Sequence, residues 1–154
     1  MKKLIALFLF SSLVFSADES NTDKIYLNCK FERSVVHGDR NWKMERDPDQ
    51  SLVLTPMNPD VMRGAFVQMY GIPSVALETD INKLTWTLLD KKFDTTTYHH
   101  TFDKITGNLV VKTHIVLSDQ EALLIQIDKQ DDGTYIAASR YYKCSKVKPL
   151  LIDW

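Results

Sequence analysis

In "KIYLNCKFE", residues 24–32, Ile25, Leu27, Cys29 and Phe31 alternate with Tyr26, Asn28, Lys30 and Glu32. A period of two is that of a strand with one buried face, so Cys29 is expected on the core side. The same alternation recurs in "KLTWTLLD", where Leu84, Trp86 and Leu88 share a face, and in the preceding strand "SVALET", the two linked around Asp80 to Asn82. "SLVLT" reads as a short strand stopped by Pro56 and Pro59. Further strands are expected at 93–102 and 109–117. The last, "TYIAASRYYKC", places Ile136, Ala138, Tyr142 and Cys144 together. Arg140 shares that parity and breaks the apolar pattern. Either a bulge near it resets the faces, or its guanidinium is paired near a barrel mouth, with Glu32 as the candidate partner. An inward arginine there is also a candidate ligand anchor.

Two segments read less simply. Asn58, Pro59 and the set Val61, Met62, Ala65, Phe66 and Met69 fit a helical turn or two, limited by Gly64 and the break at Gly71-Ile72-Pro73. Ser118 with Glu121 matches a capping box, yet the following "ALLIQID" is short and runs to the hairpin signal Asp132-Gly133, which favours a strand. Residues 36–50 form a long charged connection carrying Trp42. Several short strands at spacings near ten residues, with at most one short helix, define a mainly β chain: a small antiparallel β-barrel or sandwich.

The stretch "YHHTFDKITGNLVVKTHI", residues 98–115, holds three of the four histidines. As a hairpin turning between Asp103 and Asn108, it sets Tyr98, His100 and Phe102 on the face of Leu109, Val111, Thr113 and Ile115. Thr97, His99 and Thr101 then join Val110, Lys112 and His114 on the other face. His99 and His100 point apart and cannot chelate one metal together. His99 and His114 form a diagonal outer pair, a two-imidazole metal candidate weakened by Lys112 beside it. No metal site and no cofactor are expected.

The N-terminus changes the picture. Lys2 and Lys3 precede the apolar run Leu4 to Val14, and Val14-Phe15-Ser16 suits signal peptidase, so residues 1–16 are expected to be a signal peptide cleaved after Ser16 or Ala17. The run is shorter than the about 20 apolar residues a transmembrane helix needs, so no stable membrane insertion is expected after cleavage. Residues 17–154 suit one β domain. Without Lys2 and Lys3 it carries 17 basic and 20 acidic residues, a net charge of −3, with no basic stripe for nucleic acid. In a periplasmic or secreted chain the only two cysteines, Cys29 and Cys144, are expected to form a disulfide joining the first strand to the last. Closing so long a loop stabilises a fold by roughly 4 to 5 kcal/mol in the chain-entropy model.

No nucleophile elbow, H-E-x-x-H or phosphate-binding glycine loop is present, and carboxylate pairs such as Asp90 with Asp94 or Asp131 with Asp132 fall in expected turns. A non-enzymatic role follows as the expectation. Binding candidates are Trp42 in its charged loop, Arg140, and Trp154, which ends the apolar tail after Pro149.

"YLNCKFE", "FDKITGNLVV" and "YYKCSKV" resemble the layout of small uncharacterised exported bacterial β-domain proteins, with an early cysteine strand, a D-[KR]-x-T-G-x-L hairpin and a late aromatic-x-Cys strand. That resemblance implies a compact β domain and brings no catalytic residues. A second similarity is to periplasmic lysozyme inhibitors, small disulfide-linked barrels with a Tyr-x-Cys strand. Here Tyr26 lies three positions before Cys29 rather than two. The resulting expectation is an exported domain that binds a protein or envelope component. The alternatives are a lipocalin-like barrel taking a small apolar ligand near Arg140 and His100, or a lysozyme-inhibitor-like protein.

Overall fold

A computed structural model describes residues 24–38, 46–57 and 63–148. Eight strands follow one another around a closed antiparallel barrel: β1 (Ile25–Val36), β2 (Gln50–Pro56), β3 (Gly64–Met69), β4 (Ile72–Asp80), β5 (Lys83–Leu89), β6 (Thr96–Asp103), β7 (Asn108–Ile115) and β8 (Tyr135–Lys146). Closure pairs β1 with β8 and removes the unpaired edges that an open sheet leaves to other chains. Cys29 lies directly opposite Cys144 at that seam and the two form a disulfide, joining first and last strands as the alternation of residues 24–32 anticipated.

The alternation sets the core. Leu27, Leu52, Leu54, Val67, Met69, Leu84, Trp86, Phe102, Leu109, Val111 and Tyr142 are buried inside the barrel. Each such large apolar side chain stabilises the fold by roughly 1.5 to 3 kcal/mol through loss of contact with water. In the 98–115 hairpin, Phe102 pairs with Leu109, His100 with Val111 and Tyr98 with Thr113, the register read from the sequence. Its turn is built by Asp103, whose Oδ1 accepts the Ile105 and Thr106 amides at 2.9 and 2.8 Å. Those donors hold the Asp103 carboxyl below its ordinary pKa. Gly107 has φ +70°, and its carbonyl accepts the Cys144 amide at 2.8 Å. A Cβ there would stand 2.7 Å from the Cys144 carbonyl, so glycine lets the turn press onto β8.

Three expectations are corrected. Residues 64–69 are a strand, not a helical turn: Ala65, Val67 and Met69 are buried while Phe66 and Gln68 are exposed, a period of two that tertiary pairing with β2 and β4 selects. The 58–62 part of that reading lies outside the described residues. The segment after Ser118 is a helix, α1 (Asp119–Leu124), not a strand. Its capping box is complete, with Ser118 Oγ accepting the Glu121 amide and Glu121 accepting the Ser118 amide. Of the expected hairpin around Asp132-Gly133 only its end forms, as the isolated bridge between Lys129 and Tyr135. Finally, Ile136 does not share a face with Ala138. The register shifts beside Thr113, so Ala138 pairs with inward Thr113 and Ile136 with outward His114.

Candidate functional site

Eight strands enclose a space that side chains can just fill, or that can hold one small ligand. Here side chains fill the middle and leave a cavity towards each end. Leu52, Val67, Met69 and Leu109 make a solvent-free waist, and none of them lines the cavity at either end. One end opens between Tyr70, Asp90 and Arg140 with a cavity of about 320 Å³. The other, of about 460 Å³, is walled by Ile25, Leu27, Leu54, Leu84, Phe102 and Ile105, with the exposed Lys104–Glu78 pair at 2.6 Å on its rim.

Arg140 makes the first end distinctive. It keeps the inward parity of Tyr142 and Cys144, and both sequence readings are met: the register shift between Ala138 and Ile136 resets the face of Ile136, and the guanidinium is paired near the barrel mouth. The pairing with Glu32 is overturned. Glu32 is exposed where the β1 register shifts between Phe31 and Arg33, and Arg140 Nε instead contacts the Asp47 carboxylate. Arg140 also donates to Thr113 Oγ1 at 2.8 Å, and Tyr142 donates its hydroxyl to Asp47 Oδ2 at 3.1 Å. Burial and the Asp47 charge raise the Tyr142 phenol pKa, so it stays a donor.

Across the mouth, Tyr98 donates to Asp90 Oδ2 at 2.6 Å. Burial, with the Asp90 hydrogen bond behind it, pushes the Tyr98 phenol up to about 12. Asp90 in turn accepts the amides of Lys92 and Phe93 at 2.7 and 3.1 Å. The Tyr98 hydrogen bond is the largest of the contacts that hold the Asp90 carboxyl low. Below the two tyrosines lies His100, 2 % exposed, stacked on Trp86 with ring centroids 4.9 Å apart. Its Nδ1 bonds the Tyr98 carbonyl at 3.1 Å. Burial lowers its pKa to about 4, so at neutral pH it contributes an uncharged imidazole to the cavity. Ile72, Leu88 and Val111 complete an apolar floor and wall.

The outer histidine pair is also where the sequence placed it. His99 and His114 stack with ring centroids 3.9 Å apart, His114 Nδ1 lying 2.8 Å from Thr134 Oγ1 and His99 Nε2 lying 3.1 Å from Thr97 Oγ1. Burial, then the neighbouring His99, lowers the His114 pKa. Both rings thus spend a nitrogen on threonine, and among the described residues no group of three His, Cys, Asp or Glu side chains is arranged to hold a metal ion. Trp42 and Trp154 lie outside the described residues, as does the 1–16 segment.

Sequence reasoning found Arg140 and His100 but missed Asp47, Gln50 and Tyr70. Gln50 opens β2 buried, its Nε2 donating to the Pro48 carbonyl at 3.0 Å, and Tyr70 stands at the rim with φ +53°. Pro48 just before "QSLVLT" was the available signal that the charged connection ends by folding against the barrel. No protein-family model, no curated protein and no solved structure matches the chain.

Proposed function

We propose that this protein is an exported, non-enzymatic small-molecule binding barrel whose site is the Arg140 mouth. The observation that carries the reading is a cavity of about 320 Å³ that joins an apolar wall to a few convergent polar groups. This is the ordinary make-up of a small-ligand pocket. Ile72, Leu88 and Val111 supply contact area, while Arg140, Tyr98, Tyr142 and neutral His100 supply orientation. The reading departs from the protein-partner expectation drawn from Trp42 and Trp154 and takes up its lipocalin-like alternative. Export is supported by the Cys29–Cys144 disulfide, which suits an oxidising compartment, together with the basic-then-apolar N-terminal segment.

The test is a backbone amide NMR titration of the barrel with a panel of small aromatic and acyl fragments. Shifts confined to Leu88, Tyr98, Val111 and Arg140, lost in a Leu88→Trp variant that fills the mouth, are expected. A panel that moves none of these resonances would sink the reading. A second reading, a protein or envelope partner, draws on Phe66, Val75 and Leu77, exposed apolar residues of adjacent strands on the outer wall. Fragment binding unaffected by Leu88→Trp, together with capture of an envelope protein lost in Phe66→Ser, would favour it.

A further inference from the structure

Building on the small-ligand reading, we infer that the ligand of the Arg140 mouth is a small organic carboxylate with an apolar body, and that Asp47 occupies the carboxylate position until the ligand displaces it. Arg140 is a permanent cation on the inner wall, its side chain only 21 % exposed. Its Nη1 is pinned by Thr113 Oγ1, which fixes the guanidinium plane. Against that plane the Arg140 Nε and the Tyr142 hydroxyl converge on one oxygen, Asp47 Oδ2. A guanidinium in ion-pair contact with, and a phenol donating to, one carboxylate oxygen make a carboxylate receptor. The buried Arg140 Nε, in contact with Asp47 but without a hydrogen bond of its own, is left for a ligand oxygen to satisfy. The barrel thus displays, on its own side chain, the chemistry this subsite accepts.

The way Asp47 is held makes it replaceable. It belongs to the irregular segment 46–49 rather than to a strand, and among the described residues its carboxylate is held by side chains alone. Asp90 across the same mouth is different, locked by two backbone amides as well as Tyr98. Among the described residues of this mouth, the Asp47 position is the one that couples a carboxylate to a half-buried cation, so it is there that a ligand acid gains what the protein's own acid gives up. The remaining walls, Ile72, Leu88 and Val111 with Tyr98, fit a flat or short apolar body. Displacement by acid alone is a near-even exchange, because the tethered Asp47 competes at an effective concentration on the order of millimolar. The apolar body supplies the surplus.

The experiment compares 1-naphthoate with its neutral amide on wild type, Asp47→Ala and Arg140→Gln, by calorimetry. Wild type is expected to prefer the acid. Asp47→Ala tightens the acid by about tenfold or more, the gain from removing a tethered competitor, and leaves the amide unchanged. Arg140→Gln reduces the acid to the level of the amide. Thermal melts give a second readout independent of the naphthyl group: acetate raises the melting temperature of Asp47→Ala, acetamide does not, and wild type responds to neither. Should Asp47→Ala not fold, Asp47→Asn replaces it, since it keeps the side-chain shape and removes only the charge. Equal binding of acid and amide in all three proteins would overturn the carboxylate assignment and leave the small-ligand reading standing. Binding of neither probe to any of the proteins, with no acetate effect on Asp47→Ala, overturns both.

Discussion

The two ends of the barrel are built from the same eight strands and differ in where their decisive groups come from. At the Ile25–Phe102 end the strands supply the wall, and the turn Asp103–Asn108 folds over it with Gly107 pressed on Cys144. The result is an apolar cavity beside the disulfide. At the Arg140 end the strands supply tyrosines, a histidine and one cation, and the segments between strands supply the carboxylates, Asp47 and Asp90. Stability is therefore expected to concentrate at the first end and selectivity at the second, because apolar burial is non-directional whereas a desolvated ion pair discriminates by charge and geometry.

The largest expected effect tests the seam. Replacing Cys29 and Cys144 together by serine is expected to cost about 4 to 5 kcal/mol, read in a urea melt, with fragment binding at the Arg140 mouth retained wherever the barrel is folded. Phe102→Ala comes next, at about 3 to 4 kcal/mol, since it deletes a buried aromatic beside an existing cavity. If this change weakened binding at the Arg140 mouth as much as it weakened the fold, the two ends would not be separable.

Acid reads the other end. The unfolded chain protonates His100 near its ordinary pKa of about 6.5, whereas the folded barrel resists until about 4. In that window the unfolded state binds more protons, so stability is full above pH 6.5 and is lost as pH falls towards 4, by roughly 3 kcal/mol at most. His114, also lowered by burial, adds loss of the same sign. His100→Gln is expected to flatten the slope between pH 6.5 and 4 in melts taken at stepped pH; an unchanged slope would remove His100 from the account.

The smallest effects belong to single hydrogen bonds. Tyr98→Phe removes the bond to Asp90 and is expected to cost about 1 kcal/mol while loosening the rim loop, seen as faster amide exchange at Lys92 and Phe93. Ser118→Ala removes the α1 cap at a similar cost of about 1 kcal/mol. It touches neither cavity and is expected to leave fragment binding unchanged, which makes it a reference for the variants above.

Much of the barrel was legible in advance because a period of two is a local property. It placed Cys29 and Cys144 inward and opposite, gave the 98–115 hairpin its register, and separated His100 from His99 and His114. It failed where the local signal was matched by another. Ala65, Phe66 and Met69 fit helical spacing as well as alternation, and only pairing with β2 and β4 chose between them. After Ser118 the capping box was the truthful signal: Asp119–Leu124 is helical, the rest of "ALLIQID" is irregular, and the turn at Asp132-Gly133 leaves only the Lys129–Tyr135 bridge of the expected hairpin.

The sequence by itself determined most strand faces and the disulfide, since each depends on alternation or on the compartment a chain can occupy, and it left two readings open for Arg140. The tertiary structure decided that the sheet closes, that its waist divides the interior into two cavities, and that Arg140 meets Asp47 rather than Glu32. Those are statements about side chains far apart in the chain, where Coulomb attraction and shape choose a partner among several carboxylates. The bulge at Phe31/Arg33 moves the β1 register just where the sequence had placed that partner.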